Sequence, residues 1–370
     1  MSARFLTVVL ERAFNMRDGF GREIDYMRIS VIDSCNLNCY YCNPCDNNEH
    51  GHALNILSVK EVLCIVRAAT RLGIKHFRLT GGEPLLHPQL DEMVLQIKKI
   101  PGVSSVSLTT NAVLLAQHAK WLKEAGIDSI NVSLDTIDAS EYERITKKPL
   151  LEEVKHGINA AIECGIRVKI NVVLTPQTDV VALTRYVAKK GTDIRFIEMM
   201  PVGEGHTNGV EPYKKVIGTL SKLYGEPCRI NTEKTKEINS GNDKRKIPDN
   251  GPAEYYIFPE LGIRVGLIQA IHGKFCDTCN RIRVTADGRL MPCLGSSVTM
   301  DLVPDSWDFA DDVEKDFAIV RALRAAIKAK PRCHNFNDNA VTYTKTTETK
   351  TTEIEAAEVN AARNMSRIGG

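Results

Sequence analysis

Three cysteines, Cys35, Cys39 and Cys42, stand at C-x3-C-x2-C spacing directly after a short apolar run at 26–32. Three thiolates can hold three irons of a four-iron cluster and leave the fourth open, and an open metal position can do chemistry. A four-cysteine electron-transfer cluster or a closed structural zinc uses one ligand more, and Cys45 is near enough in sequence to supply it. The thiol count alone leaves both arrangements open.

A second set, Cys276, Cys279 and Cys293, follows at C-x2-C-x13-C. On spacing alone a zinc ribbon completed by His272 or Cys228 is the sensible alternative. Asn280-Arg281-Ile282-Arg283 adds two arginines at period two, which on a strand share one face. The planar guanidinium fork fits phosphate oxygens bidentately, so two beside a metal site suit an anionic substrate, whereas on an exposed strand they are ordinary surface charge. Thr80-Gly81-Gly82-Glu83-Pro84 is the third motif. Paired glycines let a small ligand lie against the backbone, although alone such a stretch is more often a tight turn.

The elements that must carry these residues alternate. Strand-like runs at 27–32, 76–80, 104–109, 128–134, 167–174 and 194–198 are separated by amphipathic segments at 59–72, 89–99, 114–125, 151–164 and 180–189. Each crossover is long enough for a helix, so a parallel sheet is the economical solution. Six units in succession predict an α/β fold of the partial (βα)6 TIM-like barrel type, with a doubly wound open sheet as competitor. In a barrel, functional residues follow the carboxyl ends of strands, and Cys35, Gly81–Pro84, Thr110-Asn111, Asp135 and Met199-Met200 all do so. Beyond Pro201 the pattern breaks: 203–212 and 231–252 read as loops, 255–271 and 282–290 as short strands, 312–330 as a helix and 342–358 as an extended segment. The division predicted is an N-terminal extension 1–22, a barrel 23–202, a second region 203–336 with the later cysteines, and a tail 337–370.

The chain has 370 residues, 43% hydrophobic and 25% charged, with a formal charge of +2. That balance gives no reason to expect nucleic acid or membrane as partner, and no stretch approaches a membrane span or signal region. Seven of eleven cysteines are clustered, which in a reducing compartment reads as metal ligation, so a cytoplasmic location is expected. The scattered Cys64, Cys164, Cys228 and Cys333 read as small buried hydrophobes.

The first cysteine motif, with the aromatic Tyr41 before its last thiol, resembles the radical S-adenosylmethionine (SAM) superfamily. Thr80–Pro84, Thr109-Thr110-Asn111, Asn131-Val-Ser133-Leu-Asp135 and Glu198-Met-Met200-Pro continue the resemblance at successive strand ends. Further stretches narrow it to the GTP 3′,8-cyclase family of molybdenum cofactor biosynthesis: Phe20-Gly21-Arg22, Met27-Arg28-Ile29-Ser30, the 276–293 block, Lys330-Pro-Arg-Cys-His-Asn-Phe336 and the terminal Gly369-Gly370. The resemblance implies that Cys35, Cys39 and Cys42 hold a SAM-binding [4Fe-4S] cluster, with Tyr41, Gly82, Ser133 and Met200 around SAM. It implies an auxiliary [4Fe-4S] cluster on Cys276, Cys279 and Cys293 whose open iron meets guanine. It places Arg28, Arg78, Thr109, Lys169, Arg281, Ile282 and Arg283 on GTP, with Arg281 or Arg283 aiding reduction and protonation, and the Gly-Gly tail in the active site. The implied reaction is hydrogen abstraction from C3′ of GTP and attack on C8, giving (8S)-3′,8-cyclo-7,8-dihydroguanosine 5′-triphosphate. An electron donor such as flavodoxin or ferredoxin, a downstream cyclic pyranopterin monophosphate synthase and a homodimer are implied with it.

Departures are His76, two positions before Arg78 where the family often has a basic residue, and divergent stretches at 219–252 and 338–359. Two rivals are weighed. A peptide- or protein-modifying radical SAM enzyme with an auxiliary cluster generally carries more cysteines, and a non-catalytic zinc scaffold gives no reason for the glycine, arginine and tail motifs to occur together.

Overall fold

The computed structural model describes residues 16–42, 55–202, 209–230, 251–296, 299–302, 312–334 and 336. Cys45, most of the polar 231–252 stretch, the 342–358 segment and the Gly-Gly tail lie outside the described residues.

Six strands pair in parallel in chain order: β1 (Tyr26–Ser30), β2 (His76–Thr80), β3 (Ser105–Thr110), β4 (Ser129–Ser133), β5 (Val168–Val173) and β6 (Asp193–Ile197). Later strands extend this sheet at both ends. β9 (Arg264–Ile268) joins β6 and β10 (Arg281–Val284) joins β1, both in parallel. β8 (Glu254–Ile257) and β7 (Cys228–Ile230) then continue antiparallel beyond β9, and β11 (Arg289–Met291) and β12 (Met300–Asp301) beyond β10. The run expected at 255–271 is thus two strands around a turn in which Gly262 takes a positive φ, and 282–290 likewise is the β10–β11 hairpin. The strand at 228–230 and a helix at Ala139–Thr146 were not expected.

The strands are two-faced. Met27, Ile29, Phe77, Leu79, Val106, Leu108, Ile130, Val132, Ile170, Val172, Ile194 and Phe196 form one core with the crossover helices. Each such side chain stabilises by about 1.5–3 kcal/mol on burial, and Phe77→Ala would cost about 3–5 kcal/mol. The alternate positions carry Arg28, Arg78, Ser107, Thr109, Lys169, Asn171 and Arg195, and these face a cavity. An open sheet clad by helices on both faces would have no such polar interior, so the sheet curls into a partial barrel.

Local signals start the helices. Ser58 and Glu61 form a capping box on Val59–Arg71, Asp138 caps Ala139–Thr146 through Glu141 N at 2.8 Å, and Asp179 caps Val180–Lys189 through Ala182 N at 2.9 Å. Lys147, at φ 61°, ends the second of these. The N-terminal residues are bound into the body. Arg22, paired with Asp18 at 2.5 Å, donates to the carbonyls of Cys276, Pro331 and Arg332. No helix among the described residues is long and apolar enough to cross a membrane.

Candidate active site

The inner face of the curled sheet encloses a cavity of about 620 Å³. Cys35, Cys39 and Cys42 line it from the loop after β1, with Tyr41, and Gly82, Ser133 and Met200 line it from the ends of β2, β4 and β6. The cysteine loop rests on the unexpected helix: Asn38 N and Tyr40 N donate to the carbonyls of Thr146 and Ile145 at 3.0 and 3.2 Å.

The protein's own backbone requires the paired glycines. A Cβ on Gly81 would come within 2.5 Å of Ile32 O, and one on Gly82 would meet Ser34 O closer still. The space is taken by the backbone leading to Cys35, which Gly82 N and Glu83 N bind through Ile32 O and Ser34 O at 2.7 and 2.8 Å. Glu83 carries the brace onward, its buried carboxylate accepting from Leu85 N, Thr110 Oγ1 and Asn111 N. Asn111 in turn donates its side-chain amide to Asn36 Oδ1 at 2.8 Å and Cys35 Sγ at 3.8 Å.

Withdrawal from water holds all three thiols up, Cys35 to about 11 and Cys42 to about 12, with Glu83 adding at Cys35 and the neighbouring Cys35 at Cys42. Such thiols lose protons on binding metal, so loading this site releases them. Among the described residues no three His, Cys, Asp or Glu side chains gather closely enough for one metal ion. Cluster thiolates each bind a different iron and need wider spacing than the roughly 2.3 Å bonds around one zinc. Three thiols on one loop, all lining the cavity, are the donor set of a cluster with one iron left open. Beside it, Tyr41 Oη donates to Asp135 Oδ2 at 2.5 Å. Burial raises the Asp135 carboxyl to about 6, against the pull of that bond and of Val173 N.

Cys276, Cys279 and Cys293 line the same cavity. Burial would raise Cys279, but Arg281 and then Lys330 outweigh it and bring the thiol down to about 7. Lys330 is buried, and its Nζ donates to Arg281 O and Pro292 O, both at 2.8 Å. Neither candidate for a fourth zinc ligand lines the cavity: Cys228 is exposed on edge strand β7, and His272 Nδ1 is paired with Glu198.

Arg28, Arg78, Thr109, Lys169, Arg281 and Arg283 all line the cavity. Arg78 Nε donates to Ser107 Oγ at 3.0 Å and its guanidinium lies over the Tyr26 ring, while Arg281 lies over Phe275. Burial, then the charge of Arg281, lowers Arg283 to about 10, and burial, then Arg283 and Arg78, hold Arg28 well below its ordinary value. Thr109 Oγ1 is buried with no hydrogen-bond partner among the described residues. Ile282 is the exception: its side chain is fully buried in the apolar core, because it alternates with the two inward-facing arginines on β10. His76 lines the cavity with Nδ1 2.8 Å from Ser105 Oγ.

Arg195 was not expected at the site. It is buried on β6, faces the cavity, and donates to two neutral acceptors, Asn171 Oδ1 at 2.9 Å and Asn131 Oδ1 at 2.5 Å. Gly266 makes room for it, since a Cβ there would lie 2.8 Å from Arg195 Cγ. Its period-two relation to Ile197 marks it as inward-facing once β6 is known.

Residues 29–182 match the profile of the Radical SAM superfamily and residues 192–336 that of Molybdenum Cofactor Synthesis C. A protein of Clostridium perfringens named GTP 3′,8-cyclase is 35% identical over 324 residues, 87% of this chain and 95% of that one. Its namesake in Peptoclostridium acidaminophilum is 37% identical over 328 residues, 87% and 94% of the two chains. Among solved structures, Streptococcus suis SuiB bound to S-adenosylmethionine superposes with a TM-score of 0.55 at 14% identity, covering 80% of this chain and 68% of that one. That likeness is one of fold.

Proposed function

The chain belongs to the GTP 3′,8-cyclase family of the radical SAM superfamily, and from that membership we propose how its cavity is used. It is an enzyme that cyclises GTP to (8S)-3′,8-cyclo-7,8-dihydroguanosine 5′-triphosphate, the first step of molybdenum cofactor biosynthesis, with SAM and a [4Fe-4S] cluster. The cluster and SAM, when bound, supply a 5′-deoxyadenosyl radical, the hard chemistry that no side chain can do.

The chain's own work is positioning. Cys35, Cys39 and Cys42 hold the cluster, and Tyr41, Gly82, Ser133 and Met200 flank SAM. Arg28, Arg78, Lys169 and Arg195 hold the triphosphate, and Thr109 offers its unpartnered hydroxyl to the substrate. Cys276, Cys279 and Cys293 hold a second [4Fe-4S] cluster against the guanine, and Arg281 and Arg283 beside it steady the product side and donate a proton at guanine. Held this way, C3′ and C8 meet with little entropy left to lose, away from water, and closing the ring needs one electron, from the reductant, as well as the proton.

One observation carries this reading: two three-thiol sets and a group of mutually repelling cations line a single cavity. Like charges brought together in a buried place await an anion. A zinc scaffold or a peptide-modifying enzyme gives no account of those cations. Anaerobic counting tests the second cluster: about eight irons and eight sulfides per chain are expected, and about four of each after replacement of Cys276, Cys279 and Cys293. Four in both proteins, or stoichiometric zinc at the second set, would contradict it. We also propose, on family membership, flavodoxin or ferredoxin as electron donor, a cyclic pyranopterin monophosphate synthase downstream, and a homodimer. The ten described cysteines are all free thiols, in keeping with a cytoplasmic location.

A further inference from the structure

Strand registers line up one ring of inward-facing positions around the cavity. Arg283 stands opposite Arg28, Arg28 opposite Arg78, Arg78 opposite Ser107 and Ser107 opposite Ser129. Ile130 pairs with Val168 and donates its N–H to Arg167 O, so Arg167 takes the next place in the row, beside Ser129. All six side chains line the cavity. The row therefore has three guanidiniums at one end, two hydroxyls in the middle and a fourth guanidinium at the other end.

Arg167 Nη2 is buried and has no hydrogen-bond partner among the described residues. A buried donor left unmade is costly, and among the described residues no ion pair engages Arg167. The carboxylates at neighbouring strand ends are engaged elsewhere: Asp128 with Lys98 Nζ at 2.9 Å and Val106 N at 2.7 Å, and Asp193 with Arg264. Lys169, two residues along β5, faces the same cavity. Strands lie about 4.8 Å apart, so the three spacings from Arg78 to Arg167 span roughly 14 Å along the sheet. Arg167 thus stands at the opposite end of the row from the other three guanidiniums, placed to meet a different phosphate of a chain that runs along it.

We propose that Arg167 grips the far end of the polyphosphate chain and so selects the nucleoside triphosphate over shorter nucleotides. This rests on the reading of the cavity as a GTP site and adds a residue and a basis for chain-length specificity to it. The test is anaerobic equilibrium dialysis of reconstituted holoenzyme, without reductant, against GTP, GDP and GMP. Arg167→Ala is expected to bind GTP roughly tenfold or more weakly than wild type, the scale of one charge-assisted hydrogen bond, with GMP unchanged. Arg167→Lys should recover part of the loss, and Arg167→Gln, which keeps length without charge, should not. Iron content and SAM binding equal to wild type show that the variants are folded. GTP affinity equal to wild type in both the Ala and Gln variants overturns the proposal, as does an equal loss for all three nucleotides. Wild-type holoenzyme that binds no GTP would instead overturn the GTP-site reading itself.

Discussion

Arg28 and Arg283 stand directly opposite each other on neighbouring parallel strands, both facing the cavity, with Arg78 in register on the other side of Arg28. Like charges opposed across a sheet are destabilising by themselves, and here burial and the neighbouring guanidiniums lower the pKa of both. Such a row of guanidiniums is suited to binding an anion.

Arg28→Met, similar in length and uncharged, should therefore leave the unliganded protein as stable as wild type or more so. It should also weaken GTP binding by roughly tenfold to a hundredfold, since hydrogen bonds to charged groups contribute about 1.5–3 kcal/mol. Thermal unfolding with and without GTP checks both: the GTP-induced rise in Tm shrinks while the unliganded Tm does not fall. A lower unliganded Tm with an unchanged GTP response would reverse the account.

Asn111 reaches Cys35 Sγ with its side-chain amide. Donors to cluster sulfur stabilise the more negative, reduced state and raise the potential. Asn111→Ala should lower the midpoint potential of the first cluster, by an amount on the order of 40 mV if the bond is worth about 1 kcal/mol. Redox titration followed by electron paramagnetic resonance reads this directly, and an unshifted midpoint would remove Asn111 from the tuning of that cluster.

Burial raises Glu83 from 4.5 to about 7, despite hydrogen bonds from Asn111, Leu85 and Thr110. A group whose folded pKa lies above its unfolded value stabilises most below the unfolded value, and that stability is lost as pH rises through the folded one. Wild type should therefore lose stability relative to Glu83→Gln between about pH 4.5 and 7, and no further above it. Protonated Glu83 and glutamine each present one acceptor oxygen and one donor group to those partners, so the two proteins should be close in stability at the acid end. Unfolding midpoints of both proteins across that range decide it. Wild type holding its stability relative to Glu83→Gln across that range would contradict the shift.

Local features of this fold were legible in the sequence, and pairwise ones were not. The thiol spacings and the βα alternation are written in short windows, so the cavity's two three-thiol sets and its six central strands could be read directly. Arg195 could not be told from a surface arginine, because its inward direction depends on where β6 pairs. β10 joins β1 across some 250 intervening residues, and nothing local announces that the later cysteines close the same sheet. The helix at Ala139–Thr146 is short and hidden behind a polar cap, yet it carries the cysteine loop. Gly81 and Gly82 were rightly singled out for lacking a Cβ, since the backbone of Ile32 and Ser34 lies where one would stand. Ile282 looked like a cavity residue because its neighbours Arg281 and Arg283 are, while strand alternation turns its side chain into the core.

The central claim is that this one cavity holds GTP where a SAM-derived radical can reach it. The direct measurement is anaerobic incubation of the reconstituted holoenzyme with SAM, a reductant and, separately, each of the four ribonucleoside triphosphates. With GTP alone, 5′-deoxyadenosine should form together with a 3′,8-cyclised product. Arg281→Ala and Arg283→Ala should still cleave SAM slowly while yielding no cyclised nucleotide. Absence of a cyclised product from GTP in the wild type, or wild-type cyclisation in both arginine variants, would contradict the account.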